Sequence, residues 1–181
     1  MGHLLRTSAL VFVGALAAFG QAATVPAKWI GTWTLDLKQS TLAPIWGPGL
    51  PEGVTPVSQT LKIEETSGQI KLSGDTVLTG LQPVHDETRL NLDGKQTVIG
   101  YGESVSFRKI DDSTFDIIAK VNSKETGNHV GENRFVFSPD GKTLTETKTH
   151  TEREVVTDGA DQTKSPLIKT STSVLVFNKA L

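Results

Sequence analysis

Outside its first few residues the chain has three histidines, His85, His129 and His150, the side chains best suited to metal or proton-transfer chemistry. None has a second histidine at metal-ligand spacing and the sequence contains no cysteine, so no metal site is expected. His150, Glu152 and Glu154 stand two apart, which in an extended chain puts them together on an outward face. Such a set binds a metal weakly at best, and a solvated charged face explains it more simply. His85, Asp86 and Glu87 are adjacent, but strand alternation sends Asp86 to the side of Val84, Thr88 and Leu90 and the other two to the opposite side. An inward Asp86 could act as a general base or orient a ligand, because burial would raise its pKa. The alternative is a water-exposed place at a rim, since Pro83 opens the segment. No Gly-x-Ser-x-Gly elbow, phosphate-cradling glycine loop or dinucleotide fingerprint is present. No catalytic residue is assigned, and no cofactor is expected.

Two further stretches bear on ligand binding. From Lys142 to Val156, Thr143, Thr145, Thr147, Thr149 and Thr151 alternate with Leu144, Glu146, Lys148, His150 and Glu152. Burying unpaired ions is costly, so the threonines are expected inward and the charges outward. Thr145, Thr147 and Thr149 would then line a partly polar interior suited to water or an amphipathic guest; the plainer alternative is that threonine is simply a good strand former. The segment Gln39 to Pro56 holds four of the eight prolines, with Gly47, Gly49 and Gly53, and cannot be regular structure. It also carries Leu42, Ile45, Trp46 and Leu50, apolar content that a solvated loop has little reason to keep. Ile45, Trp46 and Leu50 are therefore candidate lid residues against a ligand, or else cap a core.

The elements that must position these residues are strands. From Trp29 onward, apolar residues recur at every second position in short runs broken by turn residues. Trp29, Gly31, Trp33, Leu35 and Leu37 share one face of the first run. The alternation returns in Leu61 and Ile63, Ile70 and Leu72, Thr88 to Leu92, Phe115 to Val121, and Phe135 and Phe137. Ser67-Gly68, Asp93-Gly94, Asp111-Asp112-Ser113 and Ser138-Pro139-Asp140-Gly141 are turn sequences that join neighbours as hairpins. No helical period is long enough for a crossover, so the pairing is antiparallel and consecutive. The expectation is all-β: a single antiparallel up-and-down β-barrel of roughly eight to ten strands, since closure removes exposed edges.

Gly31-Thr32-Trp33 at the head of the first strand resembles the Gly-x-Trp signature of the lipocalin and fatty-acid-binding superfamily. Gly31 to Lys38, Ser58 to Glu64, Phe107 to Asp111 and Ser138 to Thr145 are similar to an uncharacterised family of secreted bacterial lipocalin-like (calycin-type) proteins. The resemblance implies a fold and no known reaction. It also implies that Gly31 and Trp33 plug one end of the barrel, with a basic side chain of the last strand across the tryptophan ring. Lys179, in phase with Leu175 and Phe177, is the candidate, although the family more often has arginine there. A frayed terminal charge is the other reading of Lys179. The same resemblance places the loop after the first strand over the open mouth.

The start of the chain reads as an export signal. Arg6 is the sole charge among the first 22 residues, Ala9 to Phe19 is apolar apart from Gly14, and Gly20 and Ala22 are small. That run of 11 residues is about half of the ~20 a membrane-spanning helix needs. Residues 1–22 are expected to be removed as a signal peptide, leaving 23–181 as one lipocalin-like domain, periplasmic or extracellular, with no transmembrane segment. The mature chain would carry 17 Lys and Arg against 20 Asp and Glu, a net charge of −3 with the signs interspersed. Nucleic acid, which needs a clustered positive surface, is not an expected partner. Oligomeric state is open, with a monomer favoured. Three functions follow in order: a carrier of a small apolar or amphipathic molecule in the lumen, a non-catalytic envelope or extracellular interaction protein with a filled barrel, and an enzyme using Asp86 inside the barrel.

Overall fold

The computed structural model describes residues 24–43, 53–100, 103–123, 127–153 and 168–180. The expected signal peptide with its cut site and the candidate lid residues Ile45, Trp46 and Leu50 lie outside these. Ten strands are present: β1 Gly31–Leu35, β2 Pro56–Thr66, β3 Gln69–Leu78, β4 Val84–Asn91, β5 Thr97–Gly100, β6 Glu103–Lys109, β7 Thr114–Ser123, β8 Gly127–Phe137, β9 Thr143–Arg153 and β10 Ile168–Lys179. They form one sheet in the order β4-β3-β2-β1-β10-β9-β8-β7-β6-β5, every pair antiparallel. Among the described residues there is no helix. The sheet curls into a nearly closed barrel, its two edges approaching where the Asn91 amide of β4 donates to Thr97 Oγ1 of β5 at 3.4 Å.

Local chemistry explains the reversals. Between β2 and β3 the two turn residues Ser67 and Gly68 both have positive φ, 43° and 81°, the backbone twist that matches paired strands. Asp93, Asp111 and Asp140 each accept a hydrogen bond from the backbone N–H two residues on, at Lys95, Ser113 and Lys142, and so tie their turns.

The first strand is shorter than its alternation predicts, and two residues expected on it lie elsewhere. Leu37 is 40% exposed. Asp36 is the cause: its carboxylate accepts from Lys38 N–H at 3.0 Å and from Gln39 Nε2 at 2.8 Å, and its carbonyl from Ser40 Oγ at 2.7 Å. These local bonds compete with the ladder and lift the chain off it until Thr41 pairs with Val174 of β10. Trp29 precedes the strand, in a turn closed by its N–H donating to Pro26 O at 2.9 Å.

That turn carries the Trp29 ring into the barrel base. Its indole stacks on Phe137 at 5.3 Å between centroids, with Phe115 at 4.8 Å and Phe107 at 6.5 Å, while Phe115 stacks on Phe135 at 4.5 Å. Ile63, Ile70, Leu90, Leu144, Leu175 and Phe177 complete the core without residual exposure. Both buried indole N–H groups are satisfied, Trp29 by Asp112 O and Trp33 by Trp29 O, each at 3.1 Å. Burial of this aromatic set, at ~25 cal/mol per Å² of apolar surface, is the main stabilising force in a chain without disulfides. No helix among the described residues is long and apolar enough to cross a membrane.

Candidate functional site

The barrel interior changes character with height. At the base, the inward positions are tryptophan, phenylalanine, leucine and isoleucine. Toward the opposite end, where β2, β4, β6, β8 and β10 begin, small and polar residues join apolar ones such as the buried Leu78 of β3. The inward residues there include Ala119 of β7, Gly131 and Asn133 of β8, and Ser171 and Ser173 of β10. Ile117, Ala119, Gly131, Asn133 and Ser171 stay only half-buried although they face inward, whereas the inward residues of the base are buried.

Strand β9 crosses this boundary, and its facing overturns an expectation. Leu144 pairs with Phe137 and Phe177, Glu146 with Phe135 and Leu175, Lys148 with Asn133 and Ser173, and His150 with Gly131 and Ser171. All of these neighbours are inward, so Leu144, Glu146, Lys148 and His150 form the inner wall. Thr145, Thr147 and Thr149 therefore point outward, against Val136, Arg134 and Glu132 of β8, and are not lumen residues. The reason is Leu144. It shares its face with the charges, and slipping the strand by one residue would eject it from full burial between two phenylalanines, losing about 1.5–3 kcal/mol. The weak metal set expected outside is undone as well, because His150 faces in; Glu154 and the side chain of Glu152 lie outside the described residues.

Glu146 is the notable group of this wall. It is 5% exposed, between Phe135 and Leu175. Burial pushes its pKa up, opposed by the charge of Lys148. Lys148 and His150 each have an interaction partner. One buried acceptor, the Gln59 Oε1 of β2, has no donor among the described residues; Gln59 pairs with buried Thr76 of β3 and faces inward in phase with Leu61 and Ile63. Ser173 is buried and accepts a hydrogen bond from Ala43 N–H at 2.9 Å, which anchors the chain after β1 to the inner side of β10.

Asp86 sits where alternation puts it, on the inner side of β4 opposite Gly74, but it is exposed. The burial that would make it a general base is missing, because β4 is an edge strand with a ladder on one side only. Its neighbours face out: His85 Nδ1 lies 2.7 Å from Asp75 Oδ1, and Glu87 pairs with Lys71 at 2.8 Å and Arg89 at 3.0 Å. Among the described residues no group of three or more His, Asp or Glu side chains is placed to hold a metal ion.

One charged cluster was not anticipated. Asp116 lies on the outer side of β7 yet is fully buried, between Arg108 of β6 and Arg134 of β8. Arg134 reaches it at 2.8 and 3.1 Å, Arg108 at 2.5 and 3.2 Å, and Glu132 joins at 3.4 Å from Arg108. The guanidiniums hold its carboxyl below the ordinary range, Arg134 most strongly. Its only sequence signal was a carboxylate at an outward position in a strand, which says nothing about the arginines on neighbouring strands. An open cleft of about 430 Å³ lies around Thr34, Leu35, Asp36, Lys38 and Asn178, outside the barrel. Asp36 there is already engaged by Lys38, Gln39 and Asn178.

Lys179 and Trp33 close the base. Trp33 is fully buried and the Lys179 ammonium lies 5.0 Å from its ring centroid. Fold and interior together define a nearly closed, ten-stranded, up-and-down β-barrel, compatible with a lipocalin-like fold. Comparison with protein-family models, with curated proteins and with solved structures finds no match to this chain.

Proposed function

We propose that this is an exported carrier that holds a small amphipathic molecule in the upper half of its barrel, and that it belongs with the secreted lipocalin-like proteins its turn and strand sequences resemble. The observation that carries this reading is the inner wall of β9. A chain that fills its base with aromatic rings places Glu146, Lys148 and His150 inward above them, with half-buried Asn133, Gly131 and Ser171 beside Lys148 and His150. Setting the Glu146 carboxyl beside buried Phe135 and Leu175 costs folding energy, which a guest able to meet the carboxyl would offset. The apolar floor of Phe135 and Leu175 beside Glu146 suits the hydrocarbon part of such a guest. The export address rests on the first 22 residues.

Mass spectrometry of small molecules released from natively purified protein tests the reading without a prior choice of ligand. A stoichiometric compound released only on denaturation is the expected result. Its consistent absence would favour the interaction-protein reading, which the fully packed aromatic base supports.

A further inference from the structure

The two ends of the barrel differ in the chemistry of their loops. At the base every hairpin turn carries charge: Glu65 flanks the β2–β3 turn, Asp93 and Lys95 lie in the β4–β5 turn, Asp111 and Asp112 in the β6–β7 turn, and Asp140 and Lys142 in the β8–β9 turn. At the opposite end, around the start of β2, the β3–β4 connection and the end of β5, residues 53–60, 76–84 and 97–100 contain no charged side chain. Of the nine exposed large apolar residues among those described, five lie in these stretches, Val57, Leu81, Val84, Val98 and Ile99, and in the base turns only Ile110. Single exposed apolar residues need no explanation, but a gathering at one end of a barrel does. The rim is also tied together: the Thr79 N–H and Oγ1 both donate to the Thr55 carbonyl, at 3.0 and 3.1 Å. The Leu81 N–H closes a turn on the Leu78 carbonyl at 3.2 Å across Gly80, held at φ +72°, so that Leu78 is buried and Leu81 is presented to solvent.

We infer that this rim docks on the surface of a lipid bilayer, its apolar loop tips entering among the headgroups of an uncharged membrane. An apolar side chain gains burial at the boundary of the acyl chains, whereas a charge carried there is costly; the rim offers the first and lacks the second. The nearest charges in sequence set the depth. His85, bonded to Asp75, and Asp86 follow Val84 directly and stay in water, so the insertion is shallow and confined to the tips. A protein partner is the poorer fit. Protein interfaces are anchored by aromatic and arginine side chains, with polar and charged groups that fix the register, and the described residues of these three stretches include no aromatic, arginine or other charged residue. The docking is independent of whether the interior carries a guest.

Co-sedimentation of the full mature chain with phosphatidylcholine vesicles, at low and at high salt, tests this. The protein should partition onto the vesicles equally in both, since salt screens charge and leaves apolar insertion in place. Leu81→Asp combined with Val98→Asp should weaken partitioning by at least about tenfold, with the unfolding midpoint unchanged because both side chains are exposed. Ile110→Asp, at the base, should leave partitioning as it was. The chain has no cysteine, so Leu81→Cys can carry a single environment-sensitive dye, which should brighten and shift to the blue when vesicles are added; the same dye on Ile110→Cys should not respond. Failure of the protein to bind these vesicles overturns the inference. So does binding that requires anionic lipid and is abolished by salt, partitioning that survives the double substitution, or an equal dye response at the two ends. A dimer in solution that Leu81→Asp dissociates, without vesicle binding, would assign the rim to a second copy of the chain and overturn it as well.

Discussion

The Lys179 ammonium stands 5.0 Å from the centroid of the Trp33 ring and donates a hydrogen bond to the Lys28 carbonyl at 3.2 Å. Trp33 and Lys179 are also direct cross-strand partners in the β1–β10 ladder. One side chain thus joins the last strand to the first and to the turn that carries Trp29 into the base.

Trp33→Ala should destabilise the domain by about 3–5 kcal/mol in urea unfolding, the range for truncating a buried large aromatic. Trp33→Phe should cost less than Trp33→Ala and still measurably, since it leaves the buried Trp29 carbonyl without its indole donor. A loss under about 1 kcal/mol for the alanine variant would contradict its role as the plug of the barrel base.

Gly31 is held at φ +136°, and a Cβ there would stand 2.9 Å from Cε of Lys179. Gly31→Ala should therefore cost about 1–3 kcal/mol, from backbone strain and displacement of the lysine. Lys179→Met, which keeps the length and loses the charge, should cost about 1 kcal/mol. In a Lys179→Ala background, which removes the Cε that the new Cβ would meet, Gly31→Ala should cost less than it does alone; strict additivity would mean that the two residues do not interact.

Acid should act on Asp116. Its pKa is lowered below the ordinary 3.8, so the native state holds this proton less tightly than the unfolded chain. Its stabilisation is full above 3.8 and is lost as pH falls through the native value. Asp116→Asn should cost roughly 2 kcal/mol at pH 7, less than a wholly buried pair because both arginines are half in water, and should flatten the acid limb of a stability–pH curve. An unchanged acid limb would show that the cluster carries no linkage.

Glu146 should act in the opposite sense. Its pKa is raised above the ordinary 4.5, so its contribution is full below that value and is lost as pH rises through the native one. Glu146→Leu should therefore stabilise the unliganded protein at pH 7 by about 1 kcal/mol or more and have little effect at pH 4. Destabilisation at neutral pH would mean that the carboxylate has a strong internal partner.

The expressed and exported protein should begin at Ala23, which an intact-mass measurement decides. Retention of residues 1–22 in the exported species would remove the address proposed here.

Alternation of period two, four turn sequences and the absence of a helical repeat were enough to read an all-β meander, because each is a property of neighbours within a few residues. The burial of Trp33 and Phe135 was readable for the same reason, and so was the opposition of Asp86 to His85 and Glu87. Alternation tells which residues share a side; it does not tell which side is inside. For β9 the charges argued one way and Leu144 the other, and only its pairing with Phe137, seven residues back, and Phe177, on the last strand, decided for Leu144. Glu146 thereby became an interior group and the threonines an outer surface. Asp116 is the same lesson reversed: an outward carboxylate buried by arginines that neighbouring strands deliver. The exposure of Asp86 likewise came from its place on an edge strand, a property of the whole sheet and of no local segment. Local geometry is written in nearest neighbours along the chain, whereas burial and charge pairing depend on residues that only the ladder brings side by side.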